Sequence, residues 1–262
     1  MAASSTSRPA AAPTPVSLWP YPRILAHRGG GTLAPENTLG AIRLGAEMGF
    51  KGVEFDVMLA GDGTPVLMHD RTLKRTTRAR GEVAHTPYAE LARLDAGAWY
   101  GKGWRGERVP SFDGAARLCL ERGLWANVEI KPALGFERRT GEAVARVAAE
   151  LWRGARLPPV LSSFSPLALA AARAAAPQLP RGLLLGRIAP HWREMMRDLE
   201  CIALHGNHRA LNRRIIDSAH EAGTAVLAWT VNDRRTARRL LAWGVDCLVT
   251  DRLDRIAPEF PD

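Results

Sequence analysis

TAVLAWTVNDRRTARRLLAWGVDCLVT, residues 224–250, holds two apolar runs with a helical stretch between them. TAVLAWTV (224–231) and DCLVT (246–250) are aliphatic and β-branched with almost no charge, as strands buried on both faces are. Residues 233–242 space their apolar side chains at helical intervals and fill the other positions with arginine. A strand, a helix and a second strand in this order form the unit of a parallel sheet.

The same alternation runs back to Arg23. The other apolar runs are RILAH (23–27), GVEFDVML (52–59), TPVLMH (64–69), ANVEI (126–130), PVLSSF (159–164), GLLLG (182–186) and CIALHG (201–206). Helical periodicity marks 38–49, 112–122, 140–152, 166–175 and 211–222. This alternation predicts a parallel α/β fold. About eight units fit a (β/α)8 barrel, whose usual length is about 250 residues; an open doubly wound sheet is the alternative. Gly61-Asp62-Gly63 reads as a tight turn. Residues 71–110 break the rhythm with charges, glycines and Trp99, Tyr100 and Trp104, and read as a small insertion after the strand ending in His69-Asp70. The expected organisation is a disordered tail over 1–18, rich in Ala, Ser and Pro, and one barrel domain over 19–262.

Composition sets outer limits. Of the 262 residues, 46% are hydrophobic and 24% charged, and no apolar run reaches the length of a membrane span, so a globular chain without stable membrane insertion is expected. The formal charge is +9, and all but four of the 36 basic residues are arginine. Such a field favours anionic ligands. The arginines are scattered rather than gathered in a stripe, which argues against a nucleic-acid partner. Cys119, Cys201 and Cys247 are odd in number, far apart and flanked by apolar residues, so they read as buried free thiols of a reducing compartment. The tail lacks the layout of a signal peptide, and a cytoplasmic location is expected.

A barrel of this kind carries its site at the C-terminal ends of its strands. The polar residues there are chemically complementary: His27-Arg28, Glu54 and Asp56, His69-Asp70, Glu129 and Lys131, and Trp229 and Asn232. Glu54 and Asp56 are two apart on a strand and share a face, with Val53, Phe55 and Val57 on the other. With Glu129 they offer three oxygen ligands suited to Mg²⁺ or Ca²⁺. Each carboxylate alone could equally pair with an arginine; the two histidines beside them favour chemistry. His27 and His69 suit general acid and base work, and Arg28 and Lys131 supply charge for a phosphate. Gly29-Gly30-Gly31 leads into Pro35-Glu36-Asn37-Thr38, which opens the next helix; Asn37 or Thr38 suits its cap and Glu36 is a candidate site residue. His205 and His208 end another run and can line the mouth, with supporting or surface roles preferred.

The segments AHRGGGTLAPENT (26–38), GVEFDVMLAGDGTPVLMHDRTLKRTT (52–77), NVEIKP (127–132), AWTVND (228–233) and GVDCLVTD (244–251) together resemble the glycerophosphodiester phosphodiesterases. The resemblance spans about Pro20 to Phe260 and is strongest to the cytosolic bacterial members linked with glycerol 3-phosphate uptake. It implies a (β/α)8 barrel with an insertion at 71–110. It also implies hydrolysis of glycerophosphodiesters, such as glycerophosphocholine and glycerophosphoethanolamine, to glycerol 3-phosphate and an alcohol. It places a divalent metal, Mg²⁺ or Ca²⁺, on Glu54, Asp56 and Glu129, and acid–base roles on His27 and His69. Phosphate or substrate contacts fall to Arg28, Glu36, Lys131 and Trp229. The nucleophile is either the glycerol 2-hydroxyl, through a cyclic phosphate, or water directly. A lysophospholipase D-like barrel and a non-enzymatic anion-binding protein are the competing readings, and the oligomeric state is left open.

Overall fold

The structure is a computed structural model that describes residues 19–261. The expected disordered tail, residues 1–18, lies outside the described residues. The strands are β1 (Ile24–Ala26), β2 (Gly52–Leu59), β3 (Pro65–Leu67), β4 (Trp125–Ile130), β5 (Val160–Ser163), β6 (Arg181–Leu185), β7 (Ala203–Asn207), β8 (Ala225–Trp229) and β9 (Cys247–Thr250). All strands but β3 pair in parallel in the order β1-β2-β4-β5-β6-β7-β8-β9, and β9 returns to β1, with Ile24 opposite Leu248. The sheet is therefore a closed (β/α)8 barrel, not an open doubly wound sheet.

Every predicted apolar run forms a strand, but TPVLMH is not a barrel stave. It forms β3, antiparallel to β2, with Val57 opposite Leu67. The reason is chain length. A parallel return needs a crossover of about a dozen residues or more, whereas β2 and β3 are joined by a tight turn in which the Gly63 amide donates to Ala60 O and the Ala60 amide to Thr64 O.

The helices are α1 (Leu39–Glu47), α2 (Lys74–Thr77), α3 (Tyr88–Leu91), α4 (Phe112–Glu121), α5 (Glu137–Leu151), α6 (Pro166–Ala175), α7 (Trp192–Asp198), α8 (Arg213–Glu221) and α9 (Arg234–Ala242). The side chains of Thr38, Ser111, Ser165, Asn212 and Asp233 each accept an amide hydrogen bond at the start of the helix that follows. Val53, Phe55 and Val57 of β2 join the core between barrel and helices, with Phe112 of α4 and Ile42 of α1. Within the barrel, Leu25, Trp125, Ala203, Leu227 and Val249 form an apolar layer closed from beneath by Trp19. Residues 71–110 carry α2 and α3 and gather their own small core, in which Leu73, Val83 and Leu91 pack on Met58, Val66 and Met68. This segment is tied to the β1–α1 loop and to the first turn of α1: Tyr100 Oη donates to Thr32 O at 2.6 Å, and the Gly40 amide to Glu107 Oε2 at 3.0 Å. Cys119, Cys201 and Cys247 are buried free thiols.

Candidate active site

The alternation of β2 sends Glu54 and Asp56 into the barrel, and the parallel register sets Asp56 opposite Glu129 of β4. Ligand oxygens of Glu54, Asp56 and Glu129 lie within 4.8 Å of one another. His27 and Arg28 follow β1, His69 follows β3, Lys131 follows β4, and Trp229 ends β8. All of these except Asp56 line one cavity of about 180 Å³ together with Glu54 and Glu129. Asp56 lies buried behind its wall.

The charges form a continuous chain. Lys131 Nζ donates to Asp56 Oδ1 and Glu129 Oε1, both at 3.1 Å. Arg28 Nη1 donates to Glu36 Oε1 at 2.7 Å, and its Nε lies 3.5 Å from Asp56 Oδ2. Arg75 of α2 grips Glu36 through Nη1 (2.6 Å) and Asp70 through Nε (2.6 Å), and Asp70 in turn lies 2.7 Å from His69 Nδ1. Glu36 is thus held between two guanidinium groups, which favours its charged form over the opposing effect of burial. It opens on a second groove with Trp99 and Tyr100.

Backbone conformation is specialised here too. Arg28 and Asn37 have φ of 50° and 57°, in the left-handed region. For a non-glycine residue this conformation costs about 1–2 kcal/mol. The two are linked, since the Asn37 amide donates to Arg28 O at 3.0 Å. The Asn37 side chain then clamps a carboxylate of the acidic cluster: Nδ2 donates to Asp56 Oδ2 at 2.8 Å, and Oδ1 accepts from the Asp56 amide at 3.1 Å.

The three carboxylates fit a hard divalent cation. Burial and the neighbouring Asp56 charge push Glu54 up to about 7 and Glu129 up to about 8. Burial opposes the charge on Asp56 as well, but Lys131, Arg28 and His69 hold it at about 2. Glu54 Oε1 is buried with no hydrogen-bond partner among the described residues. A cluster of this kind needs positive charge, and it has an acceptor to spare.

The two histidines are set apart electrostatically. Burial pulls the His27 pKa down, but Asp251, 2.5 Å from Nδ1, and the charge of Glu54 outweigh it, and the net shift is upward. For His69 burial, Arg28 and Lys131 prevail over Asp56 and Asp70, and the net shift is downward.

Of the nine residues singled out from the sequence, seven line this cavity, Asp56 lies behind its wall, and Glu36 holds Arg28 from the adjoining groove. Reading along the chain misses Asp251 and Arg75, and takes Asn37 only as a helix cap; Asn232 is among the strand-end residues named. Asn232 Nδ2 donates to Asp251 Oδ2 at 2.9 Å, fixing the carboxylate that holds His27. VTD at 249–251 mirrors the other strand ends that finish in ionisable groups, and that position is its available signal. His205 is fully buried inside the barrel, which excludes a surface role, and it is part of the cavity lining.

Comparison with known proteins gives a consistent result. The model of the glycerophosphoryl diester phosphodiesterase family matches residues 27–255. A protein of Caldanaerobacter subterraneus subsp. tengcongensis named glycerophosphodiester phosphodiesterase is 31% identical over 230 residues, covering 87% of this chain and 93% of its own length. The solved structure of an Oleispira antarctica phosphodiesterase, in complex with the product sn-glycerol-3-phosphate, is 38% identical with a TM-score of 0.85, covering 88% of this chain and 93% of that one. A glycerophosphodiester phosphodiesterase structure from Agrobacterium tumefaciens is 27% identical with a TM-score of 0.76, covering 89% and 97%.

Proposed function

The chain belongs to the glycerophosphoryl diester phosphodiesterase family and is an enzyme of that class, and on that premise we propose that it hydrolyses glycerophosphocholine, glycerophosphoethanolamine and similar diesters to sn-glycerol 3-phosphate and an alcohol, using a divalent cation and two histidines. The observation that carries this reading is the convergence of Glu54, Asp56 and Glu129 with His27 and His69 on one cavity mouth. The glycerol 3-phosphate bound in the Oleispira antarctica phosphodiesterase is in keeping with it.

Glu54, Asp56 and Glu129 would hold the cation, Mg²⁺ or Ca²⁺. When bound, it supplies positive charge to the non-bridging phosphoryl oxygens. Arg28 and Lys131 add positive charge at the same phosphate, and Glu36 orients Arg28. His69, whose surroundings favour the neutral ring, takes the proton from the attacking oxygen, of water or of the glycerol 2-hydroxyl, which bonds to phosphorus as the bond to the departing alcohol breaks; after attack by the 2-hydroxyl, water opens the cyclic phosphate to glycerol 3-phosphate. His27, whose surroundings favour the protonated ring, gives a proton to the oxygen of the departing alcohol. Trp229, whose ring meets Phe164 edge-on with centroids 5.4 Å apart, walls the substrate. We assign the whole of residues 19–262 to one catalytic barrel domain with an insertion near 71–110, acting in the cytoplasm; among the described residues no helix is long and apolar enough to cross a membrane.

One observation favours the lipid-active alternative: Leu134, Phe164 and Leu167, on the loops after β4 and β5 and at the start of α6, are exposed apolar side chains. The deciding experiment measures release of the headgroup alcohol from glycerophosphocholine, glycerophosphoethanolamine and a lysophospholipid, with glycerol 3-phosphate as the co-product of the first two, each with Mg²⁺, Ca²⁺ or EDTA. Metal-dependent release from the water-soluble diesters is expected. Activity on the lysolipid alone would move the enzyme to the lipid-active class, and full activity in EDTA would remove the metal role.

A further inference from the structure

His205 lies on the inner face of β7, fully buried, and neither ring nitrogen has a hydrogen-bond partner among the described residues. It nonetheless lines the cavity that holds His27, Arg28, Glu54 and Glu129. Its register neighbours, Leu184 of β6 and Leu227 of β8, line the same cavity with aliphatic carbon. Trp19 meets the ring edge-on from beneath, with centroids 6.3 Å apart. Gly182 of β6 makes the room, because a Cβ there would stand 2.4 Å from His205 Nε2. Another wall carries a matching feature. Asn127 of β4 donates its side-chain amide to Ser162 Oγ at 3.1 Å, and its buried Oδ1, on the cavity lining, has no partner.

An unmet buried polar group costs about 1–3 kcal/mol, so partnerless atoms on the wall of a binding cavity mark where a ligand group can make hydrogen bonds. The chemistry of these atoms says which group. Burial holds the imidazole neutral, with its pKa lowered to about 3. A neutral imidazole offers one N–H donor and one acceptor nitrogen, and the Asn127 carbonyl offers a further acceptor. A hydroxyl both donates and accepts, so it matches this pattern. A phosphate oxygen accepts only, and the donors suited to it, Arg28 and Lys131, belong to the charged part of the cavity. We propose that His205 and the Asn127 carbonyl hold the hydroxyl-bearing end of the substrate, so that these two walls of the cavity select polyol phosphodiesters over diesters without hydroxyls. The proposal rests on the phosphodiesterase reading above and adds a specificity residue to it.

The test compares wild type with His205→Leu and His205→Asn on two substrates at the same Mg²⁺ concentration. One is glycerophosphoethanolamine and the other is bis(p-nitrophenyl) phosphate, which carries no hydroxyl and is cleaved only with water as the nucleophile; where the wild type does not cleave it, the binding preference below decides. In parallel, calorimetry measures binding of glycerol 3-phosphate and of ethyl phosphate to each protein. Loss of a built hydroxyl site should cut kcat/KM of His205→Leu on glycerophosphoethanolamine by about 10-fold or more, while bis(p-nitrophenyl) phosphate stays within about 2-fold. The binding preference for glycerol 3-phosphate over ethyl phosphate should fall by a similar factor, and His205→Asn should recover part of it. Equal loss on both substrates, an unchanged binding preference, or a wild type that binds the two phosphates equally would overturn the proposal. If His205→Leu does not fold, Asn127→Ala puts the same question from the other wall. A wild type that releases no glycerol 3-phosphate from any diester would defeat the phosphodiesterase reading instead, and the binding preference would still report on these walls.

Discussion

His27 owes its orientation to a carboxylate 224 positions further along the chain, Asp251, which is itself held by Asn232. In the proposed role of general acid, His27 needs both its proton and its direction, so the pair is expected to act as a unit. His27→Ala and His69→Ala should each lose about 10²-fold or more in turnover, and Asp251→Asn should lose about 10-fold or more with little change in KM. Steady-state kinetics on the folded variants checks this, and a near-normal Asp251→Asn would detach Asp251 from catalysis. This residue also marks the limit of what the linear sequence reveals. The histidines follow strands β1 and β3, and the acidic triad lies on β2 and β4, where alternation puts Glu54 and Asp56 on one face, so these residues can be read along the chain. Asp251, Asn37 and Arg75 gain their meaning from neighbours brought close only by barrel closure or by the fold of the 71–110 segment. His205 carries a second expectation. Its pKa is lowered to about 3 in the folded protein and is about 6.5 in an unfolded chain. Between these values the unfolded chain binds a proton that the folded one refuses, so stability falls as pH drops below about 6.5. The loss at pH 5 should be about 2 kcal/mol. Urea unfolding at pH 7.5 and pH 5 measures it, and His205→Leu should lack this contribution; an equal loss in the variant would assign the acid sensitivity elsewhere.

The β1–α1 loop is the element on which the site turns. It carries His27, Arg28, Glu36 and Asn37, and it closes the barrel seam by lying against the end of β9: the Thr32 amide donates to Asp251 O at 2.8 Å. Gly31 permits this closeness. Its φ is 55°, and a Cβ there would stand 2.2 Å from Asp251 O, a backbone atom that cannot step aside. Gly31→Ala should therefore destabilise the fold by about 2 kcal/mol or more and disturb the His27–Asp251 pair with it. Thermal unfolding together with kcat tests both effects, and a variant that is stable and fully active would contradict this account of the loop. At this scale most of the architecture was open to reading in advance. Each apolar run became a strand, because residues buried on both faces of a parallel sheet have little latitude in composition. The exception, β3, is decided by the tight turn at Gly61-Asp62-Gly63, which leaves room only for an antiparallel return. The helix α7, Trp192–Asp198, lay outside the stretches singled out by periodicity; it is only 7 residues long and buries Trp192 and Met196 alone.

Across the whole molecule, the helices return against the direction of the strands, so their first turns surround the catalytic mouth. Two of these turns carry exposed arginine pairs, Arg213-Arg214 on α8 and Arg234-Arg235 on α9, and Arg209 precedes them on the β7–α8 loop. Cations at the positive end of a helix are each unfavourable by about 0.3–1 kcal/mol. Asp217 and the cap Asp233 offset only part of this charge. On a chain of formal charge +9, a positive rim at this place raises the local concentration of anions at the mouth. The effect depends on the net charge of the substrate. Glycerophosphocholine and glycerophosphoethanolamine are zwitterions and feel little net pull, whereas glycerophosphoglycerol carries one uncompensated negative charge. Raising salt from about 0.01 M to about 0.15 M shortens the screening length from about 30 Å to about 8 Å. Over that range kcat/KM for glycerophosphoglycerol should fall several-fold, kcat should hold, and the zwitterions should change much less. Replacing the four paired arginines with glutamine should flatten the glycerophosphoglycerol profile toward theirs. Equal salt profiles for charged and zwitterionic diesters in the wild type would show that the rim plays no part in capture, and that its positive charge answers to some demand other than the substrate.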